Sequence, residues 1–129
     1  SGRRADVIHI DVHQEKGERR KILHTTERTQ LVTTTLPPGG MYYEEEGFVS
    51  SDQVIYVVEG RIEIEIEGEK KEMRAGEVVV VPAATSYRFR VVGRRPTTLF
   101  NVFGPPAYPA ENRASIHETT RFEIGRDYE

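Results

Sequence analysis

Cysteine is absent from the 129 residues, which removes disulfides, thiolate catalysis and thiolate metal sites but leaves the compartment open. No apolar run approaches the roughly 18 residues that a membrane-spanning helix needs. The opening "SGRRADV" has no hydrophobic core of the kind that a secretion signal carries. An excess of one charge sign is also missing: 18 Lys and Arg stand against 21 Asp and Glu, a net charge of −3. A nucleic-acid partner usually goes with a basic balance, so that class is not supported. There is no phosphate-cradling glycine loop, no Ser-His-Asp arrangement, no long amphipathic helix and no internal repeat. The expectation from these absences is a soluble cytoplasmic protein with no membrane or nucleic-acid partner.

What the chain does have is alternation. Its length suits one domain with a real core, and 36% hydrophobic with 30% charged residues is ordinary for a globular protein. "ADVIHIDVH" sets Ile8, Ile10 and Val12 opposite Val7, His9, Asp11 and His13, which predicts an N-terminal strand. "KILHTTERTQLVTTTL" reads as two strands around Glu27-Arg28, and "PPGG" at 37–40 breaks the chain. "QVIYVVEG" is a strand apolar on both faces. "RIEIEIEG" places Ile62, Ile64 and Ile66 on one face and a Glu row on the other, a solvated sheet face. "VVVVP", "SYRFRVV" and "TTLFNVFGPP" supply further strands. About ten short strands with frequent turns indicate an all-β sandwich or barrel. Strands apolar on both faces need cover from the N-terminal strand, the tail or a second copy. A homodimer is therefore expected, through the outer side of residues 53–58, where Val54, Tyr56 and Val58 lie.

At the centre of the chain these residues resemble the cupins, small β-barrels of jelly-roll type. Gly40, Glu46, Phe48, Gln53 and Gly60 stand at the intervals of the first cupin motif. Gly76, Pro82, Ala84, Tyr87 and Val91 stand at those of the second, with fifteen residues between Gly60 and Gly76. The resemblance implies a cupin-type β-barrel, a double-stranded jelly roll with an N-terminal strand and an irregular C-terminal arm. Residues 1–19 would be the N-terminal strand and a charged connection, 20–110 the barrel, and 111–129 an arm or short helix. One domain is expected overall.

Metal-binding cupins hold one divalent ion on two histidines, a glutamate and a third histidine. Those slots are filled here by Glu46, Phe48, Gln53 and Tyr87. Phe48 cannot ligate, Gln53 is a neutral oxygen donor, and a phenol with a pKa of about 10 must ionise before it binds well. No metal and no other cofactor is expected. His9 and His13, four apart on the expected strand, would be separated by roughly 13 Å, too far for one ion.

The residues that remain can still do chemistry. Glu46 and Tyr87 are the candidate catalytic groups, a carboxylate base and a phenol donor in an apolar cup. Tyr42, Phe48, Gln53 and Phe89 are the candidate ligand-binding residues. Glu44 shares the parity of Tyr42 and Glu46 on the same wall. The first reading is a metal-independent cupin that binds a small organic ligand in the barrel. Its acid/base chemistry would be of isomerase, dehydratase, lyase or cyclase type. The alternatives are a non-catalytic cupin serving dimerisation or ligand sensing, and a metal-dependent dioxygenase with unusual ligands.

Overall fold

The alternating segments pair into two antiparallel sheets. The computed structural model describes residues 7–44 and 47–109, and nine strands lie among them. These are β1 (Lys21–Thr25), β2 (Gln30–Leu36), β3 (Met41–Glu44), β4 (Asp52–Glu59), β5 (Arg61–Ile66), β6 (Glu69–Arg74), β7 (Val78–Val81), β8 (Tyr87–Val91) and β9 (Thr97–Gly104). One sheet runs β1-β2-β9-β4-β7 and the other β3-β8-β5-β6. Their facing sides bury a common core, as the period-two pattern requires.

That core is graded along its length. Leu36, Ile55, Val57, Ile62, Ile64, Val91 and Leu99 are buried toward one end. Toward the other end the same inward parity delivers Thr34, Tyr42, Glu44, Gln53, Tyr87 and Asn101, also buried. The registers Gln53 to Phe103 and Glu44 to Tyr87 put the polar residues at one mouth of the barrel. On the outer face of the second sheet, the Glu row meets arginines across the strands. Glu65 pairs with Arg88 at 2.8 Å and Glu63 with Arg90 at 3.0 Å, in register and largely in solvent. Exposed pairs of this kind add little stability each.

Among the described residues, the N-terminal strand is not formed. Residues 7–11 have no regular structure, and Val12–Glu15 is a short helix, α1. Asp11 caps it, accepting from the His13 amide at 3.0 Å. A strand needs a neighbour for its backbone groups, whereas an Asp at an N-cap satisfies them locally. Val7 and Ile8 are exposed rather than buried, and His13 lies in the helix, so the strand spacing of the two histidines does not apply. The segment instead lies along β2 and β4. Gly17 N donates to Thr35 Oγ1 at 3.1 Å, and Lys16 pairs with Glu59 at 2.8 Å. The rest of the outer face of β4 and β7 stays open, with Tyr56 40%, Val78 56% and Val80 58% exposed. The arm expected at 111–129 lies outside the described residues, and among those described no helix is long and apolar enough to cross a membrane.

Glycines hold two of the tight connections by different means, Gly60 where β4 crosses to β5 in the other sheet and Gly68 in the β5–β6 hairpin. Gly60 has φ +88°, and a Cβ there would meet Thr97 Oγ1 and the Pro96 carbonyl. Gly68 has φ +85° but open space around it. Replacing Gly68 by Ala should cost about 1 kcal/mol, the left-handed strain alone. Gly60→Ala adds a backbone clash and should cost about 2–4 kcal/mol. Urea denaturation of both variants checks this, and equal losses would refute the steric assignment.

Candidate functional site

The polar mouth of the barrel is a cup whose groups are bonded in sequence. Asn101, central on β9, donates from Nδ2 to the Val32 carbonyl at 3.3 Å and to Thr34 Oγ1 at 3.2 Å. Its Oδ1 therefore faces Gln53, which donates from Nε2 at 3.1 Å. That leaves Gln53 Oε1 to accept from the Tyr87 hydroxyl at 2.7 Å. A backbone carbonyl thus fixes which way both amides point. On the opposite wall Tyr42 donates to Glu44 Oε1 at 2.7 Å, and the Glu44 residue is only 8% exposed. Arg20 and Tyr108 close the set, with Arg20 Nη1 donating to the Tyr108 hydroxyl at 2.6 Å.

Strand parity alone brings Tyr42, Gln53, Tyr87 and Phe89 together. Tyr42 lies 5.8 Å from Tyr87 and 5.6 Å from Phe89 between ring centroids. Phe48 sits at the rim. Its loop is held against the turn before β8 by Ala84 N donating to the Phe48 carbonyl at 2.9 Å. Ala84 fills a motif position that usually holds glycine, and it keeps glycine's backbone, φ +62°. Phe48 then packs edge-on to Phe103, 4.9 Å between centroids. Glu46 lies outside the described residues. Arg20, Asn101 and Tyr108 were not singled out from sequence. Asn101 had a signal, an amide at an inward position of the apolar "LFNVF" strand; Arg20 and Tyr108 lie on connections, where no periodicity points inward.

Burial dominates the acidity of the three phenols. It pushes Tyr87 well above its ordinary value, with the Tyr108 phenol adding to the shift and the Gln53 bond opposing it. Tyr42 is raised well above the usual range by burial first, then by Tyr87, Tyr108 and Glu44. Tyr108 is raised by burial against the pull of Arg20. All three are therefore proton donors at neutral pH, not phenolates. Of the motif's metal slots among the described residues, Phe48 is hydrocarbon, Gln53 is engaged at both ends, and Tyr87 donates its proton to Gln53, a set that does not suit a divalent ion. Among the described residues, no three His, Asp or Glu form a group able to hold a metal. The space left in the cup is about 20 Å³, room for a water molecule. A larger recess of about 320 Å³ lies outside the rim, against Glu44 and Tyr87 but also against the charged Glu65, Glu67 and Arg88.

Comparison with known proteins places this geometry. The family described as Cupin domain (Cupin_2) matches residues 32–103. A Streptomyces cyaneus protein named polyketide synthase CurC is 42% identical over 43 residues, 33% of this chain and only 28% of that protein's length. The structure of KdgF from Halomonas sp. superposes with a TM-score of 0.63 at 28% identity, covering 67% of this chain and 77% of that one. A Bacillus halodurans protein superposes with a TM-score of 0.72 at 24% identity, covering 84% and 86%, a likeness of fold alone.

The raised phenols make a pH prediction. In the unfolded chain they ionise near pH 10, while in the folded protein they stay protonated. The native state then binds more protons than the unfolded one, so stability should fall as pH rises above about 10, by up to about 1.4 kcal/mol per unit for each phenol. Of the six tyrosines, Tyr42 and Tyr87 should ionise only as the protein unfolds, and Tyr108 should ionise later than an exposed tyrosine. Alkaline titration of phenolate absorbance, set beside circular dichroism, tests this; all six titrating in the folded state would contradict it.

Proposed function

The chain belongs to the cupin family, and on that footing we propose that its cup binds a small carbonyl-bearing molecule and moves a proton on it without a metal ion. The observation that carries this reading is the set of buried, oriented polar groups at the mouth. A purely structural core would be more stable with apolar residues there, because each buried carboxylate or amide costs solvation. Glu44, with Tyr42 bonded to it, is the base that takes a proton from the carbon beside the carbonyl. Tyr87, whose single hydroxyl proton goes to Gln53 in the closed cup, turns that proton to the oxygen as negative charge grows there. Proton transfer of this kind serves isomerisation, dehydration, lyase and cyclisation chemistry alike. The name of the Streptomyces relative, a polyketide synthase, is consistent with a carbonyl-rich ligand.

A second reading has its own support. The remaining space of about 20 Å³ is too small for a substrate, as a non-catalytic cupin kept for dimerisation would have it. The two readings part on turnover. A thermal-shift screen of small carbonyl compounds and organic acids, with chelator present, supplies a ligand. Deuterium uptake beside its carbonyl then reports proton transfer. Glu44→Gln should slow that uptake about 10²–10⁴-fold, and Tyr87→Phe about tenfold or more. Loss of the Tyr87 bond to Gln53 should cost only about 1 kcal/mol of stability. Glu46→Gln belongs in the same series: if it alone slows uptake, the base is Glu46. Uptake unchanged in all three variants, or requiring a metal ion, would end the proposal.

We further propose that a second copy of the chain covers the apolar face of Tyr56, Val78 and Val80. Sedimentation should show a dimer at micromolar concentration and a monomer for Val80→Lys. A wild-type monomer under those conditions would overturn this.

A further inference from the structure

Tyr108 occupies the cup in the manner of a bound molecule. It lies beyond β9, and its ring stands edge-on to Phe48 and Phe103, 5.6 Å from each between centroids. Its hydroxyl accepts from Arg20, whose guanidinium carbon also stands 4.5 Å from the ring centroid. The segment that carries it is tied down by the side chain of Gln30. Gln30 Oε1 accepts from the amides of Ala107 at 3.0 Å and Tyr108 at 2.9 Å, and Nε2 donates to the Tyr108 carbonyl at 2.8 Å. A neighbouring strand would offer the same donors and acceptors; here an amide side chain offers them. The attachment can release without opening either sheet.

We propose that Tyr108 is an internal stand-in for the ligand, and that the cup takes a small hydroxylated aromatic or planar enol that displaces it. The inference rests on the cup being the ligand site proposed above, and adds the ligand class and the device that keeps the site closed. The incoming ring takes the place of Tyr108 against Phe48 and Phe103, and its oxygen takes the Arg20 bond. A phenol or enol more acidic than tyrosine has the advantage, because Arg20 favours the ionised form. Ligand and Tyr108 exclude each other, since the space left beside Tyr108 holds no more than a water.

The test uses 4-methylphenol, the tyrosine side chain as a free molecule, and toluene, which lacks the oxygen. Bound 4-methylphenol should strip hydrogen-exchange protection from the Ala107 and Tyr108 amides and leave β2 and β9 protected. Tyr108→Phe keeps the ring but drops the Arg20 bond, and should bind 4-methylphenol about threefold to tenfold more tightly than wild type. Tyr108→Ala should gain at least about tenfold, with toluene at least about tenfold weaker than 4-methylphenol. Adding Arg20→Met should erase that preference. Should Tyr108→Ala fail to fold, Tyr108→Phe decides. The proposal is overturned if the two amides stay protected with ligand bound, if toluene binds as well as 4-methylphenol, or if neither variant gains affinity. None of these readouts involves turnover, so if they hold while deuterium uptake on a carbonyl ligand is unchanged in the Glu44, Glu46 and Tyr87 variants, the catalytic reading alone falls.

Discussion

The bond from Asn101 Nδ2 to the Val32 carbonyl sets the direction of the relay that runs through Gln53 to Tyr87. A main-chain carbonyl can only accept, so the amide of Asn101 has one stable orientation. Gln53 must then present its nitrogen to Asn101 and its oxygen to Tyr87, and Tyr87 must donate. β9 is central in its sheet, paired with β2 on one side and β4 on the other. The relay is thus anchored where the backbone is least free to move, and its far end, a phenol hydroxyl, is the part that can turn to a ligand.

The barrel separates stability from chemistry by position. Its apolar end carries the cohesion: Ile55, Val57, Ile62 and Ile64 are almost wholly buried, and burying each such side chain stabilises by about 1.5–3 kcal/mol. Its polar end can therefore hold Glu44, Gln53 and Asn101, which would weaken a core that depended on them. Protonated phenols follow from the same burial, which shields them from water and leaves them as donors. Phe48 and Tyr108 pack against each other at the mouth, and these come from a loop and the segment beyond β9 rather than from the rigid sheets. Rigid walls with a releasable cover suit a site that must admit a molecule and then shut out water.

Strand alternation was enough to place most of the walls. Ile62, Ile64, Phe89 and Tyr87 face inward because a period of two leaves them no alternative, and a one-residue slip would turn every isoleucine of β5 to solvent. The turn frame was equally legible, down to Ala84 keeping the left-handed backbone of a glycine slot. Where local pattern misled was at residues 7–13. The alternation there suggested a strand, but strand formation depends on a partner elsewhere in the chain, and the Asp11 cap needed none.

By itself, then, the sequence determined the jelly-roll barrel, its inward-facing residues and the loss of histidine ligands, because these depend on periodicity, turn chemistry and residue type. Only the tertiary structure decided that Asn101 orients Gln53 and Tyr87, that Tyr42 bonds Glu44, and that Gln30 and Arg20 hold Tyr108 over the cup. Those contacts join residues from 2 to 88 positions apart. The direction of a hydrogen bond, and the meeting of two connections at one mouth, follow from how the sheets close, and no local pattern encodes that closure.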